Sequence, residues 1–252
     1  EGLRVVGVDP AKEIANQATK GGIETVGDFF SYNLALALRK KYGPAKYITS
    51  HNACAHIDNL LDIVKGVKYW LDEDGVFVLE VGYLVDVYNN TWFDTIYHEH
   101  VDFHTVAPFE KLFSRVDMEV IRVERIEPQG GSIRVMVQKK GGKFHRDSSV
   151  DELINIEKSL NLDKAETFLK FNKNITLVSK KLQKLVHNLK AQGKTIAGFG
   201  APTKATTLMA HFNLDEKILD FIVDDNPLKQ GLFSPTSHIP IFSADELYTL
   251  RP

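Results

Sequence analysis

The sequence is poor in cysteine, in long apolar runs and in charge of one sign. Cys54 is the single cysteine among 252 residues, which excludes an internal disulfide and disfavours a cysteine-based zinc site. No apolar stretch approaches the roughly 20 residues that span a bilayer. Thirty-one basic residues stand against 33 acidic ones, a net charge of -2 with the signs interspersed. These absences predict a cytoplasmic protein with neither a membrane nor a nucleic-acid partner.

What is present is a regular alternation of strand and helix patterns, in a chain with 43% hydrophobic residues. Valine-rich runs such as "LRVVGVD" and "GVFVLEVGYL" indicate buried strands, and the segments between them space apolar residues as helices do. This alternation predicts an α/β fold with a mostly parallel, helix-covered sheet. The segments "MEVIRVERIE" and "SIRVMVQKKGG" flank a Gly-Gly turn and predict an antiparallel hairpin that completes the sheet.

The second half of the chain predicts further helices and a second α/β pattern. Residues from about 150 to 191 space apolar residues three or four apart, as amphipathic helices do. A strand-helix-strand pattern begins at Gly193 with "KTIAGFG". We therefore expect a first domain over 1–147, bridging helices over 148–192 and a second domain over 193–252.

Polar residues follow several predicted strands, where ligands bind in doubly wound sheets. Asp9, followed by Pro10, ends the first strand, and its carboxylate could accept the two hydroxyls of a ribose. An Asp-Pro turn or a helix cap is the simpler interpretation of this residue taken alone. Asp28 and the loop pair His51 and Asn52 allow the same two interpretations.

The stretch "GFGAPTKA" lies between a predicted strand and a predicted helix. Its two glycines permit a phosphate to approach backbone N–H groups, and Lys204 would add a cation. The pattern is neither the dinucleotide fingerprint nor the Walker motif, so a tight turn without a ligand is an equal alternative.

The stretch "YHEHVDFH" concentrates three histidines within seven residues. A helix would turn His98 and His100 roughly 200° apart, so three-histidine metal binding requires a non-helical segment. Metal ligation, simple packing and acid/base chemistry all remain open. The combination of Tyr97, Glu99 and a histidine favours acid/base chemistry, in particular removal of a proton next to a carbonyl group.

The motifs "HNACAHIDNL", "FDTIYHEHVDFH", "GGSIRV", "GFGAPTKATTLM" and "FIVDDNPLKQG" together resemble one family along nearly the whole chain. The chain resembles the S-adenosylmethionine-dependent sugar C-methyltransferases that act on C-3 of nucleotide-linked 4-keto-deoxysugars. The resemblance implies a class I methyltransferase-like, Rossmann-like sheet, a helical bridge and a second, partial Rossmann-like domain. It also implies S-adenosylmethionine as the methyl donor and a nucleotide-linked sugar as the substrate; the oligomeric state is left open.

The resemblance also implies roles for individual residues. His100 matches the base that removes the C-3 proton, and the resulting enolate attacks the methyl group, while Tyr97 and Glu99 position the sugar or stabilise the enolate. The implied donor-site residues are Asp9, Pro10, Asp28, Phe29, His51 and Asn52. The implied substrate-binding residues are Gly130, Gly131, Ser132, Arg134 and Lys204.

Two parts of the family pattern are missing from these 252 residues: a cysteine-rich zinc domain and the first, central strand of the sheet with its glycine-rich loop. No metal is therefore expected in this segment. Unpaired backbone groups beside a missing central strand would each cost about 1–3 kcal/mol, against a total stability of about 5–15 kcal/mol. We expect a segment of a longer polypeptide, and activity of the segment alone is left open. The alternatives are an NAD(P)-dependent oxidoreductase and a noncatalytic nucleotide-sugar binding module.

Overall fold

The computed structural model describes residues 2–252 and consists of two compact units. Unit 1 comprises the chain up to Tyr83 together with Val101–Ser159, and unit 2 comprises Leu84–His100 together with Leu160–Pro252. This division does not follow the three consecutive domains expected from the sequence. The region expected to form a bridge is shared between the units, because one of its helices lies in each.

Unit 1 is an α/β unit whose elements are labelled in chain order across the whole protein. Its strands are β1 (Gly7–Val8), β2 (Thr25–Val26), β3 (Ala45–His51), β4 (Leu71–Gly82), β5 (Met118–Ile126) and β6 (Ser132–Lys139). Its helices are α1 (Lys12–Lys20), α2 (Tyr32–Tyr42), α3 (Leu60–Trp70), α5 (Val106–Ser114) and α6 (Ser149–Ser159). β1 and β2 form a parallel pair, and the other strands form a mixed sheet in the order β3-β4-β6-β5.

The mixed sheet confirms the predicted antiparallel hairpin of β5 and β6. β3 runs parallel to β4, whereas β6 runs antiparallel to both β4 and β5. The hairpin between β5 and β6 turns through Gly130 and Gly131, whose φ angles of 86° and 149° favour glycine. β4 is a nearly continuous apolar run because both of its faces are buried. The consecutive residues Val76 and Phe77, which lie on opposite faces of the strand, are both buried.

Several helix ends in unit 1 are set by local sequence. The Ser31 hydroxyl accepts the N–H of Leu34 at 3.1 Å and caps α2 at its start, and Gly43, with a φ of 80°, follows its last residue. Asn59 caps α3 in the same manner by accepting the N–H of Asp62 at 3.2 Å. The predicted helices in these two segments are therefore confirmed.

Other boundaries differ from the sequence-based prediction. β1 begins only at Gly7, and the preceding Leu3 is 82% exposed. α5 begins at Val106 rather than at Pro108, because the carboxylate of Glu157 accepts the first N–H groups of the helix. The chain after β4 forms a helix, α4 (Leu84–Asn90), that the sequence pattern did not predict.

Unit 2 contains the predicted second α/β pattern. Besides α4, its elements are α7 (Ala165–Ala191), β7 (Ala197–Phe199), α8 (Thr203–Phe212), β8 (Phe221–Val223), β9 (Ile241–Phe242) and α9 (Glu246–Leu250). The three strands form a parallel sheet in the order β7-β8-β9. Within residues 2–252, no helix combines the length and apolar character that crossing a membrane requires.

The core of unit 2 fixes the segment Leu84–His100 in this unit. Phe171 from α7 and Ile222 from β8 are buried in the same apolar cluster as Phe93. The ring of Phe93 lies 4.9 Å from that of Phe212, at the end of α8, and 5.1 Å from that of His211. Burial of an aromatic ring is worth several kcal/mol, so this contact anchors the residues that immediately follow Phe93.

Candidate active site

The predicted donor-site carboxylates lie at the carboxyl ends of β1 and β2. Asp9 Oδ1 accepts the N–H of Ala11 at 2.8 Å, and Asp28 Oδ1 accepts the N–H of Phe29 at 2.8 Å. Both residues therefore form the local turns that were the simpler interpretation. In each carboxylate the second oxygen, Oδ2, has no hydrogen-bond partner among the residues that the structure describes. Turn formation and acceptance of a ligand hydroxyl are thus compatible.

Two further donor-site candidates border these positions. Pro10 is exposed, and Phe29 exposes 74% of its surface despite its apolar ring. An exposed aromatic ring next to a carboxylate offers a flat surface on which a nucleobase can stack. Its neighbour Phe30 instead packs on Trp70, with ring centroids 6.2 Å apart.

A row of charged side chains crosses the mixed sheet of unit 1. His51, Glu80, Arg134 and Glu124 are register partners on β3, β4, β6 and β5 respectively. Arg134 Nη2 lies 3.0 Å from Glu80 Oε2, and Arg134 Nη1 lies 3.7 Å from Glu124 Oε2. His51 Nδ1 lies 3.6 Å from Glu80 Oε2. The structure therefore brings together two sequence candidates, His51 and Arg134, through a glutamate that was not predicted.

The turn before β6 uses its polar groups within the protein. Ser132 is fully buried, and its hydroxyl donates to the carbonyl oxygen of Pro128 at 2.9 Å. The carbonyl oxygen of Gly131 accepts the N–H of Tyr83 at 3.1 Å. Ser132 is thus a turn-stabilising residue in this structure, and Arg134 is the most accessible polar side chain of the predicted substrate group in unit 1.

The "YHEH" residues of unit 2 form a turn rather than a helix. The N–H of His100 donates to the carbonyl oxygen of Tyr97 at 3.0 Å, and the carbonyl oxygen of Ile96 accepts the Thr207 hydroxyl of α8 at 3.3 Å. His100 Nδ1 lies 2.8 Å from the carbonyl oxygen of Thr95. His100 Nε2 lies 3.3 Å from the Tyr97 hydroxyl. The structure therefore pairs two of the three predicted catalytic residues.

The tautomer of neutral His100 follows from these contacts. A carbonyl oxygen only accepts hydrogen bonds, so Nδ1 carries the proton and donates to Thr95. Nε2 then has a lone pair and accepts the hydroxyl of Tyr97. Burial raises the pKa of Tyr97 above its usual value, and the negative charge of Glu99 raises it further.

The other two histidines of this stretch each have surroundings of their own. His98 has 80% of its side chain exposed and lies 3.8 Å from Glu99 Oε1. His104 is buried in unit 1, stacks on Phe109 at 4.8 Å, and leaves its Nε2 atom without a hydrogen bond. In the part of the chain that the structure describes, no group of three or more histidine, cysteine or acidic side chains is arranged to hold a metal ion.

Backbone N–H groups of the "GFGAPTKA" loop in unit 2 are hydrogen-bonded to other groups of the same unit. The N–H of Gly200 donates to the Val223 carbonyl at 2.7 Å, and the N–H of Ala201 donates to Asp224 Oδ2 at 2.7 Å. Lys229 Nζ lies 3.2 Å from the same carboxylate oxygen. A protein carboxylate thus takes the place of an anionic ligand, which favours the tight-turn alternative. Lys204, in the first turn of α8, remains exposed.

Comparison with known proteins identifies the family. A family model described as the C-methyltransferase C-terminal domain matches residues 127–252, which is half of the chain. The chain belongs to the C-methyltransferase family. Among curated C-methyltransferases, NovU of Streptomyces niveus is 34% identical over 245 residues, a match that covers 97% of this chain and 58% of NovU. The chain thus spans little more than half the length of this relative.

Solved structures resemble the chain only remotely. A SAM-dependent methyltransferase from Anabaena variabilis ATCC 29413 has 16% identity and a TM-score of 0.42, over 54% of this chain and 68% of that chain. The PH0226 protein of Pyrococcus horikoshii OT3 has 16% identity and a TM-score of 0.40, over 55% and 73% respectively.

Membership of the C-methyltransferase family confirms the resemblance seen in the sequence, and the structure confirms the predicted α/β class with a mixed sheet. Sequence reasoning missed Glu80 and the carbonyl oxygen of Thr95. A single acidic residue inside the apolar run "VFVLEVG" is a usable signal for the first. No side-chain pattern could reveal the second, because a main-chain oxygen orients the ring of His100.

Proposed function

We propose that this chain is the methyl-transferring part of an S-adenosylmethionine-dependent C-methyltransferase. The proposed acceptor is the carbon next to the keto group of a nucleotide-linked deoxysugar. The single observation that carries the proposal is the orientation of His100, with Nδ1 on the Thr95 carbonyl and Nε2 facing the Tyr97 hydroxyl. The lone cysteine supports a reducing compartment, and we propose the cytoplasm.

His100 is the proposed base. Its neutral ring presents the Nε2 lone pair, and the hydrogen bond to Thr95 holds that atom in place while it takes up a proton. The C–H bond next to a ketone is acidified by the carbonyl group, so its electrons move onto the ketone oxygen as an enolate. The His100 imidazolium that results keeps its Nδ1 hydrogen bond. The enolate carbon would then take the methyl group that bound S-adenosylmethionine supplies, as the methyl–sulfur bond breaks and S-adenosylhomocysteine is left.

Tyr97 is the proposed enolate stabiliser. Its raised pKa keeps the hydroxyl protonated at neutral pH, so it remains a hydrogen-bond donor. In the resting structure that donor faces His100 Nε2, at 3.3 Å. A substrate that accepts this hydrogen bond on its ketone oxygen would leave Nε2 of His100 available for the neighbouring C–H bond. The side chain of Glu99 is exposed. Its proposed role is to contact hydroxyl groups of the sugar.

The carboxyl edge of unit 1 is the proposed methyl-donor site. Bound S-adenosylmethionine supplies an electrophilic methyl group. The Oδ2 atoms of Asp9 and Asp28 are available to accept ribose hydroxyls, and Phe29 offers an exposed ring to the adenine. His51 is the last residue of β3 and Asn52 follows it, at the same type of strand end. This group of side chains fits a nucleoside ligand, since it combines hydrogen-bond acceptors for hydroxyl groups with an aromatic surface.

The proposed substrate-binding groups are cationic or flexible. Arg134 suits a phosphate oxygen because its guanidinium presents several donors in one plane, and Lys204 adds an exposed point charge. Gly130 and Gly131 form the turn immediately before β6, the strand that carries Arg134. The bonds that close the "GFGAPTKA" loop weigh against the NAD(P)-dependent alternative, because the loop amides already have acceptors.

Two experiments test the proposal. Calorimetric titration of the 252-residue chain compares S-adenosylhomocysteine with NAD. We expect binding of the former alone, and binding of NAD alone contradicts the proposal. Deuterium exchange at the sugar carbon next to the ketone tests the base. We expect exchange in the unsubstituted chain, its loss in His100→Ala and its retention in His98→Ala, the matched control from the same turn. Undiminished exchange in His100→Ala means that another group is the base.

A further inference from the structure

Glu80 is a buried acidic residue whose neighbours along the strand are apolar. Its side chain is 9% exposed, and its neighbours Leu79 and Val81 are almost completely buried. A buried carboxylate is costly unless it is paired, and the cost is met here by Arg134 at 3.0 Å on the adjacent strand. Arginine remains charged at any accessible pH, so Arg134 always places a positive charge beside this carboxylate.

The same carboxylate oxygen faces His51 on the opposite neighbouring strand. Because Glu80 pairs in register with His51 on β3 and with Arg134 on β6, the three side chains lie side by side. The distance from His51 Nδ1 to Glu80 Oε2 is 3.6 Å, which is slightly longer than a hydrogen bond. The other nitrogen of the ring, Nε2, belongs to a side chain that is 57% exposed.

The backbone holds His51 in the same place. Asn52 adopts a left-handed conformation with a φ of 52°, and its N–H donates to the carbonyl oxygen of Glu80 at 2.8 Å. β3 therefore ends at His51 with its last peptide bonded to the residue whose side chain faces the imidazole. Both the main chain and the side chain of Glu80 act on the position of His51.

An ionised carboxylate accepts hydrogen bonds and cannot donate them. The ring nitrogen that faces it is therefore the one that carries the proton, because the opposite arrangement would place two lone pairs against each other. We propose that Glu80 is a positioning residue that holds neutral His51 in the Nδ1–H tautomer. Nε2 of His51 is then a hydrogen-bond acceptor at the carboxyl edge of the sheet in unit 1.

The role of this acceptor rests on the proposed function. A hydroxyl or N–H group of the bound nucleoside donates to Nε2 of His51, and Glu80 improves that contact without touching the ligand. Arg134 keeps Glu80 in place by pairing with it from the other side. His51 thereby differs from His100, whose tautomer is set by a main-chain carbonyl group rather than by a carboxylate.

The test is nitrogen-15 NMR of the 252-residue chain, recorded at the alkaline end of a pH titration, where the ring-nitrogen shifts no longer change and the imidazole is neutral. The chemical shifts of the two ring nitrogens give the tautomer directly. We expect mainly Nδ1–H for His51 in the unsubstituted chain and a shift toward Nε2–H in Glu80→Gln. The matched control is Glu124→Gln, which also loses a carboxylate next to Arg134 but leaves the His51 tautomer unchanged.

Two results would overturn the proposal: an Nε2–H tautomer in the unsubstituted chain, or a tautomer that does not respond to Glu80→Gln. The unsubstituted chain decides the first by itself, even if the variant does not fold. These measurements need neither methyl donor nor substrate, so they stand apart from the test of the proposed function.

A binding measurement extends the test to the ligand. We expect His51→Ala to weaken S-adenosylhomocysteine about 3- to 10-fold, the effect of one hydrogen bond. Since Glu80 acts through His51, adding Glu80→Gln to His51→Ala should weaken binding no further. Independent, multiplying effects of the two substitutions would contradict the positioning role. Absence of binding to the unsubstituted chain would instead refute the proposed function and leave the tautomer as the deciding result.

Discussion

The carboxylate of Glu157, in α6, accepts the backbone N–H of Val106, the first residue of α5, at 2.6 Å. Its second oxygen accepts the N–H of Ala107 at 3.1 Å, and the hydroxyl of Tyr83 donates to Oε1 at 3.0 Å. One buried side chain thus caps a helix and joins it to the residue that follows β4. The negative charge also lies at the positive end of the dipole of α5.

Glu157→Ala is expected to lower the free energy of unfolding by about 2–4 kcal/mol, because two helix N–H groups and a buried hydroxyl lose their acceptor. Urea denaturation followed by circular dichroism measures the change. Asn155→Ala, at an exposed position of the same helix, is the control and should stay within about 0.5 kcal/mol. A loss below about 1 kcal/mol for Glu157→Ala would show that water replaces the carboxylate.

His104 should make the stability of the chain depend on pH. Burial lowers the pKa of this histidine below its ordinary value of 6.5, an effect that the charge of Asp102 only partly offsets. The unfolded chain therefore binds a proton at His104 more readily than the folded chain does. The free energy of unfolding should fall as the pH drops from 6.5 toward the lower pKa of the folded state.

Denaturant titrations at several pH values on both sides of 6.5 check this dependence. His104→Phe keeps the stacking on Phe109 and removes the titrating group, so its stability should change less on acidification. His98→Gln, which removes an exposed histidine, should retain the dependence of the unsubstituted chain. Equal acid sensitivity in His104→Phe and the unsubstituted chain would be evidence against this assignment.

Tyr97→Phe should reduce methyl transfer without unfolding the protein. Loss of a hydrogen bond donor to a developing oxyanion typically costs about 100- to 1000-fold in kcat. The expected change is in kcat more than in KM, since in the proposed mechanism the hydrogen bond strengthens as the enolate forms. Steady-state kinetics with a nucleotide-linked ketosugar measures it, and Tyr69→Phe is a control at a partly exposed tyrosine of unit 1. A change confined to KM would indicate a role in binding alone.

Asp224 should be essential for the closed loop of unit 2. Its carboxylate accepts N–H groups from Ala201 at 2.7 Å and Asn226 at 2.9 Å, and these bonds lower its pKa. Asp224→Asn should lower the free energy of unfolding by about 1–3 kcal/mol, because the amide lacks the charge and replaces one hydrogen-bond acceptor with a donor. Asp225→Asn, at the exposed neighbour, is the matched control. Thermal unfolding that is equal for the two variants would contradict this role.

The secondary structure followed from the sequence where local rules apply. The apolar run of β4, the Gly-Gly hairpin and the glycine that follows α2 each combine a periodic pattern with a residue of special conformation. The α/β class and the second α/β pattern after Gly193 rest on the same rules. Boundaries such as the start of α5 could not be predicted, because the acceptor of its first N–H groups lies in another helix.

For the candidate site, too, the sequence predicted what depends on residue type and missed what depends on tertiary contacts. Residue types and motifs indicated the C-methyltransferase family, and they predict Tyr97, Glu99 and His100 as the candidate catalytic residues. The orientation of His100 depends on a carbonyl oxygen, and that of His51 depends on a glutamate about 30 positions away in the sequence. The amino-acid types determine which side-chain chemistry is available. Tautomers and charge pairs depend on strand register and packing, because these bring residues that are distant in the sequence within a few ångströms of each other.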